Sequence, residues 1–150
     1  MTTLGRSTTT SLSLSTLTTV GTTPFTLITI YSSILTKNNP KFYRRKSFRS
    51  IFYYEAIQVN VSITGTYTLK SNSTMETYGY LYIHSFSSSN ILNNLLIEDD
   101  DSGNDNQFQI KYVLQQNIQY VLVVTTYRSR VTGSSRLSAP VQDQLLIVAS

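Results

Sequence analysis

From Phe42 onward, apolar and polar residues alternate with a period of two. Ile57, Val59 and Val61 alternate with Gln58, Asn60 and Ser62, the pattern of a half-buried strand. After Gly65, Tyr67 and Leu69 alternate with Thr66, Thr68 and Lys70, so the two runs predict a hairpin turning at Ile63-Thr64-Gly65. Tyr78, Tyr80 and Tyr82 line one face of a third strand, with Gly79, Leu81 and Ile83 on the other. Phe108, Ile110, Tyr112 and Leu114 repeat the alternation with Gln107, Gln109 and Lys111. Tyr120-Val121-Leu122-Val123-Val124 is apolar on both faces and predicts a central strand. A less regular tail follows Gly133 and recovers in Leu145-Leu146-Ile147-Val148. Many short strands at near-regular spacing, with no convincing amphipathic helix, predict an all-β fold: an antiparallel sandwich or jelly roll.

The chain before this region reads differently. Residues 1–36 are rich in Ser and Thr, as in Thr8-Thr9-Thr10-Ser11 and Leu12-Ser13-Leu14-Ser15, a composition typical of extended spacers. Residues 1–22 are expected to be disordered or a loose strand. Over 24–35, Phe25 and Leu27 alternate with hydroxyl residues, which predicts a packed strand. The organisation is therefore a Ser/Thr-rich segment over 1–36, partly disordered or an added strand, and a β-sandwich module over 37–150.

Composition narrows the function classes. The 150 residues include 11 Tyr and no Trp, and only 13% are charged. That charge is about half the usual soluble value. Cysteine is absent, which excludes a disulfide framework, a thiolate zinc site and a cysteine nucleophile. No run approaches the roughly 20 apolar residues of a membrane-spanning helix, so no transmembrane segment is expected. The first residues contain Arg6 but no continuous apolar core, so a standard signal peptide is not predicted. The net charge of +4 is segregated. Lys37, Lys41, Arg44, Arg45, Lys46 and Arg49 crowd one segment, and five of the eight acidic residues fall in Glu98-Asp99-Asp100-Asp101-Ser102-Gly103-Asn104-Asp105.

Several segments carry a resemblance in the right order. They are Tyr54-Glu55-Ala56-Ile57-Gln58-Val59-Asn60-Val61, Gly65-Thr66-Tyr67-Thr68-Leu69-Lys70-Ser71 and Thr77-Tyr78-Gly79-Tyr80-Leu81-Tyr82, then Asp100-Asp101-Ser102-Gly103, Tyr112-Val113-Leu114 and Tyr120–Tyr127. Together, over roughly 40–133, they resemble the pre-peptidase C-terminal domain, similar to the collagen-binding domains of secreted bacterial collagenases. The likeness is greatest to Tyr/Thr-rich copies in extracellular invertebrate proteins. It implies an antiparallel jelly-roll β-sandwich that is non-catalytic, secreted or at the cell surface. The expected work is structural or adhesive, with neighbouring copies of the module. The alternative is an accessory domain that binds carbohydrate or matrix protein for a larger hydrolase. Two departures stand out: Glu76 where the family usually has a residue such as Asp, and Ser134 to Gln144 intervening before the closing strand.

Candidate sites follow from the residue types. Calcium takes six to eight oxygen ligands, and the acidic segment supplies several without an EF-hand spacing. Asp99, Asp101 and Asp105, helped by Glu76 or Asn104, are the ligand candidates, and the ion would be structural. The other reading is a solvated polar hairpin loop in which Asp-Ser-Gly supplies turn geometry. Asn60-Val61-Ser62 and Asn72-Ser73-Thr74 are acceptor patterns for N-glycosylation, Asn60 on a polar strand face and Asn72 in a turn. Tyr78, Tyr80 and Tyr82 can stack on sugar rings or form a core face with hydroxyls at the rim. His84 is the only histidine, with no G-x-S-x-G or H-E-x-x-H around any nucleophile, so no enzyme is expected. Lys41-Phe42-Tyr43-Arg44-Arg45-Lys46-Ser47-Phe48-Arg49 mixes cations with aromatics, yet no nucleic-acid-binding motif accompanies it. It is read as a basic lead-in with Phe42 and Phe48 packing inward, and no nucleic-acid partner is expected.

Overall fold

The alternating runs form ten strands in the computed structural model, which describes residues 27–44, 49–141 and 145–149. They are β1 (Leu27–Leu35), β2 (Lys41–Tyr43), β3 (Ile51–Val61), β4 (Gly65–Ser73) and β5 (Thr77–Ile83), then β6 (Leu95–Asp99), β7 (Gln109–Leu114), β8 (Tyr120–Thr126), β9 (Gly133–Val141) and β10 (Leu145–Ala149). They make two antiparallel sheets, one ordered β1-β9-β4-β7 and one ordered β10-β3-β8-β5-β6, with β2 paired to β3. The pairs β1–β9, β3–β8, β4–β7 and β5–β6 are nested one within the next along the chain. A long antiparallel ribbon rolled on itself gives that order, which is the jelly roll. β2 and β10 are additions to it.

The inner faces hold the main core. Ile57, Val59 and Val61 from β3, Tyr67 and Leu69 from β4, and Leu81, Leu122 and Val124 meet Phe108, Ile110, Leu114, Leu137 and Ala139. Each full burial of a large apolar side chain contributes about 1.5–3 kcal/mol. Central β8 is buried at all seven positions, as its two-faced apolar run predicts. Gly79 on β5 is there because a Cβ would sit 2.7 Å from the Phe108 ring. Leu35 is buried and Tyr31 packs on the core, so the end of the Ser/Thr-rich stretch is a strand of the sandwich. Residues 1–22 lie outside the described residues.

Three connections differ from the sequence reading. Ile57–Val61 and Gly65–Lys70 do not form a hairpin: β3 and β4 lie in opposite sheets, joined by an arch at Ser62-Ile63-Thr64. Both strands turn their apolar residues toward one core, and alternation is the same for an arch as for a hairpin. The acidic segment likewise crosses from β6 in one sheet to β7 in the other. Finally, the closing strand follows Gly133 at once as β9, with Ser135, Leu137 and Ala139 inward between Ser134, Arg136 and Ser138. Small inward residues diluted by serine hid that alternation.

Candidate functional site

Because side chains alternate along β5, Leu81 faces the inter-sheet core while Tyr78, Tyr80 and Tyr82 stand on the outer face of the larger sheet. There they build a second apolar cluster with Phe42, Phe52, Val121 and Val123. The rings of Tyr78 and Tyr80 stack at 4.7 Å between centroids, and Tyr80 and Tyr82 at 6.4 Å. The loop 84–94 covers one end, with Phe86 4.9 Å from Tyr82 and the Tyr82 hydroxyl donating to the Ile91 carbonyl at 3.0 Å. Tyr82 is fully buried and belongs to this covered end. Phe42 packs inward as expected, while Phe48 lies outside the described residues.

The other end stays open as a groove of about 720 Å³, within the usual 300–1,000 Å³ range of ligand sites. Tyr78, Tyr80 and Phe52 form its floor. One wall is Ile91, Leu92 and Leu95; the other is Tyr127, Arg128 and Ser129 from the β8–β9 loop. Register sets the acidic side: Tyr80 is directly opposite Glu98 on β6, and Asp100 follows one turn of the pleat later. Leu92 and Tyr127 remain about half exposed on facing walls.

Arg44, immediately after β2, crosses this floor. Its guanidinium lies 4.2 Å from the Phe52 ring centre and 4.1 Å from that of Tyr78, a double cation–π contact. Its terminal nitrogens donate to the Tyr127 carbonyl at 2.9 Å and to the Thr126 carbonyl. Its Nε is buried with no hydrogen-bond partner among the described residues. Burial draws the guanidinium below its usual pKa, opposed by Tyr80, Tyr78 and Asp100, and it keeps its charge at neutral pH. Burial first, and then Glu98, raises the Tyr78 and Tyr82 phenols above their ordinary value of 10.0. Tyr80 is raised by burial, against the opposing pull of Arg44. Thus Arg44 of the basic segment and Glu98 and Asp100 of the acidic one, far apart in sequence, meet across the tyrosines. Arg128 lies 3.9 Å from Glu76, which sets Glu76 beside the groove rather than within the acidic turn.

The acidic turn is tied by protein donors. The Asp99 carboxylate accepts from the Ser102 amide at 3.2 Å, the Ser102 hydroxyl and the Gln109 amide at 2.7 Å. Asp105 and Asn106 adopt left-handed backbone, φ 58° and 55°, which Asx residues tolerate best. Asp101, Asn104 and Asp105 are exposed. Among the described residues, no group of three His, Cys, Asp or Glu side chains is arranged to hold a metal ion. Buried Gln107, one polar position in the alternation, fastens the turn to the sheets. Its Nε2 donates to the Met75 carbonyl at 2.9 Å and the Asp105 carbonyl at 3.1 Å. Its Oε1 accepts from the Ser71 and Thr77 hydroxyls, each at 3.2 Å.

The remaining candidates stand apart from the groove. Asn60 is half-buried on β3, beside Asn117 and Gln119. Asn72 is exposed on β4, opposite Arg136 of β9, rather than in a turn. His84 is exposed where β5 ends, with φ 65° and its carbonyl accepting from the Gln119 side-chain Nε2. Among the described residues, no helix is long and apolar enough to cross a membrane. Tyr78 and Tyr80 are legible in the sequence as ligand candidates, but Phe52, Glu98, Tyr127 and Arg128 are not, since only the sheet order brings them together. The chain matches no family model and no curated protein.

Proposed function

We propose that this chain is a non-catalytic extracellular or cell-surface adhesion module that holds a neutral glycan in the groove on its larger sheet. The jelly-roll order and the segment resemblance to the pre-peptidase C-terminal domain support the class. The observation that carries the ligand is the balance of the lining: Arg44 and Arg128 against Glu98 and Asp100, around exposed Tyr127 and Leu92. A sugar hydroxyl both donates and accepts, so a polyhydroxylated ligand uses carboxylates and guanidinium donors together. Its C–H faces pack on aromatic and aliphatic walls. A net charge near zero disfavours strongly anionic or cationic ligands, because a charged ligand would leave one sign of lining unpaired. Exposed Asn72 and the Ser/Thr-rich segment fit passage through a secretory route.

The experiment is binding of the purified chain to a panel of neutral, acidic and basic glycans and to collagen. Neutral glycans are expected to bind, and Asp100→Asn to weaken them about tenfold, or 1.4 kcal/mol, with the melting curve unchanged. Binding restricted to collagen, or unaffected by Asp100→Asn and Glu98→Gln, would overturn the glycan reading.

A further inference from the structure

Strand β1 borders the smaller sheet: β9 pairs along all nine of its residues, and no described residue pairs with its other side. Its sequence, LITIYSSIL, has no charge and no proline, and its register with β9 is unbroken. It therefore lacks the charge, proline and broken register that normally keep an edge from pairing with another chain. The opposite border of the same sheet is guarded. On β7 the Asp99 carboxylate occupies the Gln109 amide at 2.7 Å, and Lys111 stands exposed. On the outer face of β1, Ile30 and Ile34 are 51% and 65% exposed on either side of Ser32.

We propose that β1 pairs antiparallel with β1 of a second copy of this chain, about a two-fold axis at Ser32, joining the two four-stranded sheets into one. Opposed residues in an antiparallel pair share a face, so allowed registers differ by steps of two. Only the register centred on Ser32 sets Ile30 opposite Ile34 of the second copy, and Ile34 opposite its Ile30. Four isoleucines then form one apolar strip, and Ser32 faces Ser32. The strand is about 30 Å long at 3.4 Å per residue, so edge pairing buries less than the roughly 1,200 Å² of a stable interface. The dimer is therefore weak and concentration-dependent, and it presents two grooves on one assembly.

The full chain has no cysteine, so one introduced thiol reads the axis directly. Under mild oxidation Ser32→Cys is expected to cross-link into a dimer, and Ile34→Lys in the same chain to suppress it. Thr66→Cys, on the outer face of β4, serves as the collision control. Sedimentation of the unmodified chain should show a mass rising from 16.9 kDa with concentration, while Ile34→Lys stays monomeric with an unchanged circular dichroism spectrum. A constant monomer mass to sub-millimolar concentration would overturn the proposal, as would residues 1–26 occupying this edge in the full chain. Ser32→Cys cross-linking no faster than Thr66→Cys would do the same.

Discussion

Gln107 shows how one buried amide can set a local fold. Five polar groups converge on it from β4, the β4–β5 connection, β5 and the acidic turn. Gln107→Leu keeps the volume but leaves the Met75 carbonyl unpaired, while the Ser71 and Thr77 hydroxyls keep each other and the Phe108 backbone, at a cost of about 1–3 kcal/mol. Denaturant titration checks it; a loss under about 0.5 kcal/mol would show that water replaces the amide. The tyrosines make a different prediction. Tyr31, Tyr78, Tyr80 and Tyr82 all have phenols raised above the ordinary 10.0, chiefly by burial. The unfolded chain then loses protons first, so their contribution is complete below about pH 10 and declines as pH rises beyond it. Denaturation midpoints from pH 8 to 11 should fall at the alkaline end, and Tyr80→Phe should make that fall shallower. A flat profile would mean that the phenols are free to ionise in place.

At the scale of elements, the turn after β6 illustrates what side-chain hydrogen bonds can do without strand pairing. Asp99 ends β6, caps the turn through Ser102 and reaches the first amide of β7. Asp99→Ala is expected to cost about 1–2 kcal/mol, read as a lower melting temperature in calcium and in chelator alike. Stabilisation by calcium that Asp101→Ala removes would instead place an ion in the turn. The same elements show what was legible in the sequence. Strict alternation located β3, β4, β5 and β7, and the two-faced run located β8, because burial on one or both faces writes itself directly into residue order. Sheet membership is not legible: an arch and a hairpin have identical alternation, so residue order predicts a β3–β4 pair that the two sheets do not contain. β9 was lost because its inward positions include Ser135 and Ala139, small enough to face a core without looking apolar. Gly79 and Phe108 are 29 positions apart, and only the folded sheets reveal why the glycine is needed.

For the whole molecule, nested pairing brings Arg44 after β2, Glu98 on β6 and Asp100 just beyond it to one face, where they frame Tyr78 and Tyr80. The tyrosines and both charge clusters are legible in the sequence but their meeting point is not, since six strands, β3 to β8, separate Arg44 from Tyr127. The central claim is that this meeting point is a ligand site. Its most direct test is an amide-resolved NMR titration of the chain with the tightest-binding neutral glycan from the panel. The expected shifts fall on Tyr78, Leu92, Glu98, Asp100 and Ser129, leave Thr68 and Lys111 on the opposite sheet unmoved, and vanish in the Glu98→Gln, Asp100→Asn double variant. Shifts confined to the opposite sheet, or persisting in the double variant, would contradict the account.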